Sequence, residues 1–225
     1  MSKIETPVVI LNVKAYQESM GKNGLALAKA CEEVTEESGV STIICPQQFD
    51  LGWIARQVKI PCFAQHLDAK DVGSATGWAL PESAKAAGAA GSLINHSEHR
   101  LTMADIDTLV TRCRALGLTS VVCTNNIQVS AAAASLNPDM IAIEPPELIG
   151  TGIPVSRADP DIVRGSVEQV RAINRNVVVL CGAGISTGED VRAAIELGAK
   201  GVLLASGVVK ADSPKAALLD LVSGI

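Results

Sequence analysis

Aromatic residues make up only 2% of the 225 residues, so Ala, Val, Ile and Leu must fill any core. That suits parallel strands buried on both faces, which read as Val/Ile/Leu runs. No block of Lys or Arg occurs and the net charge is −5, which argues against binding nucleic acid or an anionic membrane through a basic face. No purely apolar run approaches the roughly 18 residues that span a bilayer, and the opening MSKIETP lacks the apolar stretch of a signal peptide. A cytoplasmic location without a membrane segment is therefore expected. Six cysteines (Cys31, Cys45, Cys62, Cys113, Cys123, Cys181) include no C-x-x-C pair, and several lie in apolar runs such as TIIC and VVVLC. Buried free thiols are expected there rather than a disulfide framework. Neither a G-x-x-x-x-G-K-[ST] loop nor a His/Cys/Asp cluster at ligand spacing occurs, so no P-loop, metal or cofactor is expected.

What is present is one pattern, repeated. Short apolar runs occur at 7–12, 40–45, 60–65, 91–95, 118–123, 139–144, 176–181 and 200–206. Stretches with helical periodicity lie between them, at 24–37, 105–116, 159–174, 187–198 and 213–224, with a shorter one at 46–59 and an Ala/Gly-rich one at 81–91. Asp105, Asp159 and Ser213 read as helix starts; Gly88, Gly117 and Gly198 read as helix ends. Strand–helix alternation eight times over implies parallel strands with right-handed crossovers. In a chain of this size that is a single-domain (β/α)8 barrel of eight parallel strands over 1–225, with no linker or composition break to divide it.

Such a barrel carries its active site at the carboxyl ends of the strands, which singles out the polar residues after each run. Asn12 and Lys14 close the first; a lysine there is a positive charge able to attract an anion or steady an oxyanion, or else an exposed strand-exit lysine. Gln65 and Asn125 close the third and fifth. His96 closes the fourth, and Ser97 and Glu98 read as the start of a helix whose amino end would favour a neutral imidazole. His99 reads as exposed helix surface, and nothing in the pattern recommends His66.

The stretch IAIEPPELIGTG (141–152) sets Glu144 at a strand end, directly before Pro145 and Pro146. Proline forces the preceding residue into an extended conformation, so the carboxylate stands on a stiff backbone. Glu147, Leu148 and Ile149 would form a rigid tip, and Gly150, Thr151 and Gly152 a pliant exit, as in a hinged lid. Glycine-bearing turns follow the last three strands (149–152, 181–186, 204–208), and such turns present backbone N–H groups suited to phosphate.

N-x-K after the first run, N-H-S-E after the fourth and I-E-P-P-E-L-I-G-T-G after the sixth, in that order, resemble the triosephosphate isomerase family along the whole chain. The short archaeal branch is the nearest match. Longer members show G-H-S-E-R-R where this chain has N-H-S-E-H-R, W-A-I-G-T-G where it has E-L-I-G-T-G, and paired glycines where it has Ala205 and Ser206. The resemblance implies interconversion of dihydroxyacetone phosphate and glyceraldehyde 3-phosphate, with Glu144 as base, His96 as electrophile and Lys14 stabilising enediolate charge. It implies that Asn12 and Lys14 contact substrate, that Glu98 supports Lys14, and that Ile149, Gly150, Gly184, Ala205 and Ser206 cradle phosphate. It also implies a homo-oligomer, a tetramer rather than a dimer, joined through the loop bearing Thr76 and Trp78. Two other readings stand beside it: a different phosphate-binding barrel isomerase, which would not need the His/Glu/Lys trio, and a non-catalytic sugar-phosphate binder, which should have lost Glu144 or His96.

Overall fold

The computed structural model describes residues 4–145 and 154–225. Within them, eight strands form one parallel sheet: β1 (Val8–Asn12), β2 (Ser41–Cys45), β3 (Phe63–Ala64), β4 (Gly91–Ile94), β5 (Thr119–Thr124), β6 (Met140–Ile143), β7 (Val178–Gly182) and β8 (Gly201–Leu204). Hydrogen-bonded neighbours run β2-β1-β8-β7-β6-β5-β4-β3. A parallel bridge between Ile44 and Cys62, with the Ile44 N–H donating to Pro61 O at 3.2 Å, joins the two ends. This is a single α/β domain built on an eight-stranded barrel, as the repeated pattern implies.

The strands alternate, but between two apolar environments. Val8, Ile10, Ile43, Phe63, Leu93, Val121, Met140, Leu180 and Leu203 fill the barrel interior. Their neighbours Val9, Leu11, Ile44, Ile94, Val122, Ile141, Val179 and Val202 pack outward against the helices. Burying each such side chain stabilises by roughly 1.5–3 kcal/mol, so both faces of every strand favour this closure. Outside lie α1 (Lys22–Ser38), α2 (Leu51–Ile54), α3 (Pro81–Ala87), α4 (Met103–Leu116), α5 (Ile127–Ala134), α6 (Val155–Ala158), α7 (Pro160–Ile173), α8 (Gly188–Glu196), α9 (Ser206–Val209) and α10 (Pro214–Val222). No helix among the described residues is long and apolar enough to cross a membrane.

Local chemistry sets the helix ends. Asp159 caps α7 by accepting from the Ile162 N–H, with Pro160 preset in the first turn. Gly88 and Gly117 end α3 and α4 in left-handed conformations, as expected. Three expectations need correction. Asp105 does not start α4: Thr102 is the cap, its Oγ1 accepting from the Asp105 N–H at 3.2 Å. The stretch 46–59 yields only the four residues of α2. The strand read at 60–65 shrinks to Phe63–Ala64, because Pro61 has no N–H to donate and Cys62 makes only the single bridge.

Candidate active site

A cavity of about 310 Å³ opens at the carboxyl ends of the strands. Asn12, Lys14, His96, Glu144, Gly184, Ala205 and Ser206 all line it. These seven sequence-selected residues thus meet in one space. Ile149 and Gly150, with the rest of the expected lid from Pro146 to Gly152, lie outside the described residues.

Lys14 occupies the left-handed region at φ 49°, unusual for a side chain this large. Its neighbours hold it there. The Asn12 Oδ1 accepts the Lys14 N–H at 3.0 Å, and the Lys14 carbonyl accepts from Gln47 Nε2 at 2.8 Å and Gln65 Nε2 at 3.0 Å. Gln65 also donates to the Cys45 carbonyl at 2.9 Å, tying the turn to β2. Such a backbone costs about 1–3 kcal/mol and persists only where its surroundings over-determine it. The Lys14 ammonium lies 2.8 Å from Glu98 Oε1. Glu98 is exposed, so the pair adds little stability but fixes where the charge sits. In sequence Gln65 stands out only as a strand-end residue, and nothing marks Gln47.

The helix expected at Ser97 and Glu98 is absent. These residues form a turn in which the His99 N–H donates to the His96 carbonyl at 2.9 Å, and α4 waits for its cap at Thr102. The polarity at His96 comes instead from one specific donor, the Glu98 N–H, 3.2 Å from Nδ1. A backbone N–H can only donate, so Nδ1 accepts and the ring hydrogen belongs on Nε2. His99 is exposed but not helical; its ring stacks on His66 with centroids 3.6 Å apart.

Glu144 follows β6 directly, its N–H donating to Thr124 O at 2.7 Å, with Pro145 buried behind it. The carboxylate is buried, and its Oε1 lies 3.6 Å from His96 Nε2. Its Oε2 is buried with no hydrogen-bond partner among the described residues. A carboxylate oxygen kept dry and unpaired carries a desolvation cost, and a proton from an incoming molecule would relieve it. Gly182 at the end of β7 lies directly against this side chain: a Cβ there would overlap Glu144 Cγ and sit 3.0 Å from Oε1. Burial first, and the Glu144 carboxylate second, push the Cys181 thiol up to about 12 and raise Cys123 well above the usual thiol range. Both therefore stay protonated and make poor nucleophiles.

On the next strand along, Ala183 and Gly184 follow β7 with φ 67° and 74°, a left-handed pair. The Ser186 and Thr187 N–H groups donate to Asp190 Oδ2 at 3.1 and 3.0 Å, anchoring this loop to α8. Gly207 lets the two late loops touch, since a Cβ there would lie 3.3 Å from Ile185 O. The opening N–H groups of α9, just after Ala205, have no helical carbonyl to bond. The cavity thus brings backbone donors, the Lys14 ammonium, a buried carboxylate and an Nε2–H donor together.

The chain matches the family model for triosephosphate isomerase over residues 7–224. It is 59% identical over 221 residues to a triosephosphate isomerase of Methanobacterium bryantii, covering 98% of each chain. With that of Methanothermobacter thermautotrophicus it shares 57% identity over 98% of this chain and 96% of the relative. With that of Methanocaldococcus jannaschii it shares 54% over 97% of this chain and 100% of the relative.

Proposed function

The chain belongs to the triosephosphate isomerase family and interconverts dihydroxyacetone phosphate and D-glyceraldehyde 3-phosphate, a step of glycolysis and gluconeogenesis; we propose that Glu144, His96 and Lys14 carry the chemistry. Glu144 removes a proton from the carbon beside the carbonyl, and its electron pair becomes the double bond of an enediolate. The His96 Nε2–H protonates the former carbonyl oxygen, and the ring recovers a proton from the neighbouring hydroxyl. Glu144 returns the carbon proton one position along. Lys14 stabilises the negative oxygen, in a site dry enough for that charge to count. Asn12 orients Lys14 and the substrate, Glu98 holds the ammonium, and Gly184, Ala205 and Ser206 receive the phosphate.

One observation carries this reading: a buried carboxylate with an oxygen unpaired among the described residues, its other oxygen 3.6 Å from an imidazole Nε2, in the cavity that also holds Lys14. Turnover in D2O tests it. Product should acquire deuterium at the carbon that receives the proton, and Glu144→Gln should lose exchange and turnover together. Normal exchange in that variant would assign the base elsewhere.

The same reading extends to assembly as a homo-oligomer, a tetramer rather than a dimer. The loop after β3 is drawn together at its neck: the Asp68 N–H donates to Ala79 O at 2.8 Å and the Ala79 N–H to Asp68 Oδ2 at 2.7 Å. Arg112 Nη1 braces it through the Lys70 carbonyl at 2.6 Å. Beyond that neck stand Val72, Thr76 and Trp78, with Trp78 49% exposed. A braced loop presenting large apolar groups suits a second copy of this chain, with Thr76 approaching the partner's site near Lys14. Phe49, 98% exposed, adds apolar surface outside that loop, as a tetramer's second interface needs. Trp78→Glu should lower the mass by light scattering from about four times 23.3 kDa, and activity with it. An active variant of unchanged mass at low micromolar concentration would refute the interface. Six buried free thiols also support a reducing compartment, the cytoplasm.

A further inference from the structure

Asn95, the residue before His96, has φ 63° and is buried. Few side chains adopt that left-handed backbone; asparagine is among those that do, and glycine adopts it freely. Glycine would satisfy the backbone here, so the side chain needs a further reason. Its amide spans two elements. Asn95 Nδ2 donates to the Cys123 carbonyl on β5 at 2.9 Å, and Oδ1 accepts the Leu101 N–H at 2.9 Å, at the far end of the turn carrying His96 and Glu98. The Asn95 carbonyl accepts from Arg100 Nη1 at 2.9 Å. The turn between β4 and α4 is thus gathered around one buried amide and tied to the neighbouring strand.

We infer that Asn95 is a positioning residue for catalysis: its amide fixes the β4–α4 turn against β5, and so sets where the His96 Nε2–H points and where the Glu98 N–H meets Nδ1. This rests on the assignment of His96 above. The left-handed backbone, the His96–His99 turn bond and the Arg100 contact shape the turn but leave it untied to β5 and free to shift as a unit. The two side-chain bonds remove that freedom, and each joins atoms six or more residues apart in sequence, as a local turn does not.

Asn95→Gly separates conformation from clasp, because it keeps the left-handed backbone without strain and deletes only the amide. It should fold as the parent does, lower kcat on the order of tenfold through misplaced proton transfer, and leave KM nearly unchanged. The 15N resonances of the His96 ring should shift or broaden, reporting a loosened Nδ1 acceptor. Asn95→Asp keeps the acceptor for Leu101 but turns a carboxylate oxygen toward the Cys123 carbonyl, and should lose more. His96→Gln, run in parallel, should lose about 100-fold or more. Wild-type kcat and an unchanged His96 ring spectrum in Asn95→Gly, with His96→Gln inactive, would overturn the role of Asn95 alone. Full turnover in His96→Gln would overturn the assignment of His96 and this inference together. A fall in melting temperature with kcat intact would likewise refute positioning, leaving Asn95 a purely structural residue.

Discussion

Glu144→Asp is expected to lower kcat on the order of 100-fold while KM changes little. The variant keeps the charge, so the substrate attraction proposed for Lys14 and the backbone donors should be unaffected. It shortens the side chain by one methylene and withdraws the carboxylate by about 1 Å, a displacement that can cost on the order of 100-fold when the reacting atoms must meet in line. The backbone offers no compensating movement. The Glu144 N–H is held by Thr124 O at 2.7 Å, and Pro145 behind it is buried. The carboxylate therefore cannot follow the substrate down. Steady-state kinetics in both directions decide the matter: in the proposed mechanism the same group is the base each way, so both kcat values should fall together. Near-normal turnover in either direction would remove Glu144 from the role.

The barrel was legible because parallel strands buried on both sides leave an unbroken signature, Val8 through Leu11 facing alternately inward and outward with every position apolar. Once the fold was read, topology placed Asn12, Lys14, His96 and Glu144 at one end without further information. What sequence did not disclose was local or long-range for identifiable reasons. Ser97 and Glu98 resemble a helix cap and first turn, yet the next hydroxyl, on Thr102, takes the cap. The helix α5 is hard to read because its IQVSAAAA is mostly small and apolar, with a polar residue, Ser130, on the buried face, so no amphipathic period stands out. Gln47 bonds a carbonyl 33 positions away, and no propensity or spacing rule reaches that far. Asn95 is visible as a departure from the glycine of longer members, but its meaning lies in partners on β5 and at the foot of α4.

Gly182→Ala is the other substitution expected to have a large effect, although it adds one methyl group to a residue with no assigned chemistry. Position 182 lies at the end of β7 in register with Leu203 of β8, and its backbone needs no left-handed conformation. Alanine is thus permitted by the chain itself. The obstacle is what lies above: the added Cβ would overlap Glu144 Cγ and come within 3.0 Å of its Cδ and Oε1. The overlapped atom is near the root of the side chain, so a small turn of the carboxylate cannot relieve it. Parallel pairing on both sides of β7 resists movement of the strand. Glu144 must then change rotamer, which carries its oxygens about 1 Å or more from their place, and kcat should fall on the order of 100-fold. Overpacking should also destabilise the fold by about 1–3 kcal/mol. A double-mutant cycle separates this contact from general damage to β7. In a Glu144→Ala background the overlapped atom is gone, so Gly182→Ala should cost little or no stability there. Additive losses would instead mean that the methyl group meets something other than Glu144, and near-normal kcat in Gly182→Ala would mean that the carboxylate does not depend on the space this glycine leaves.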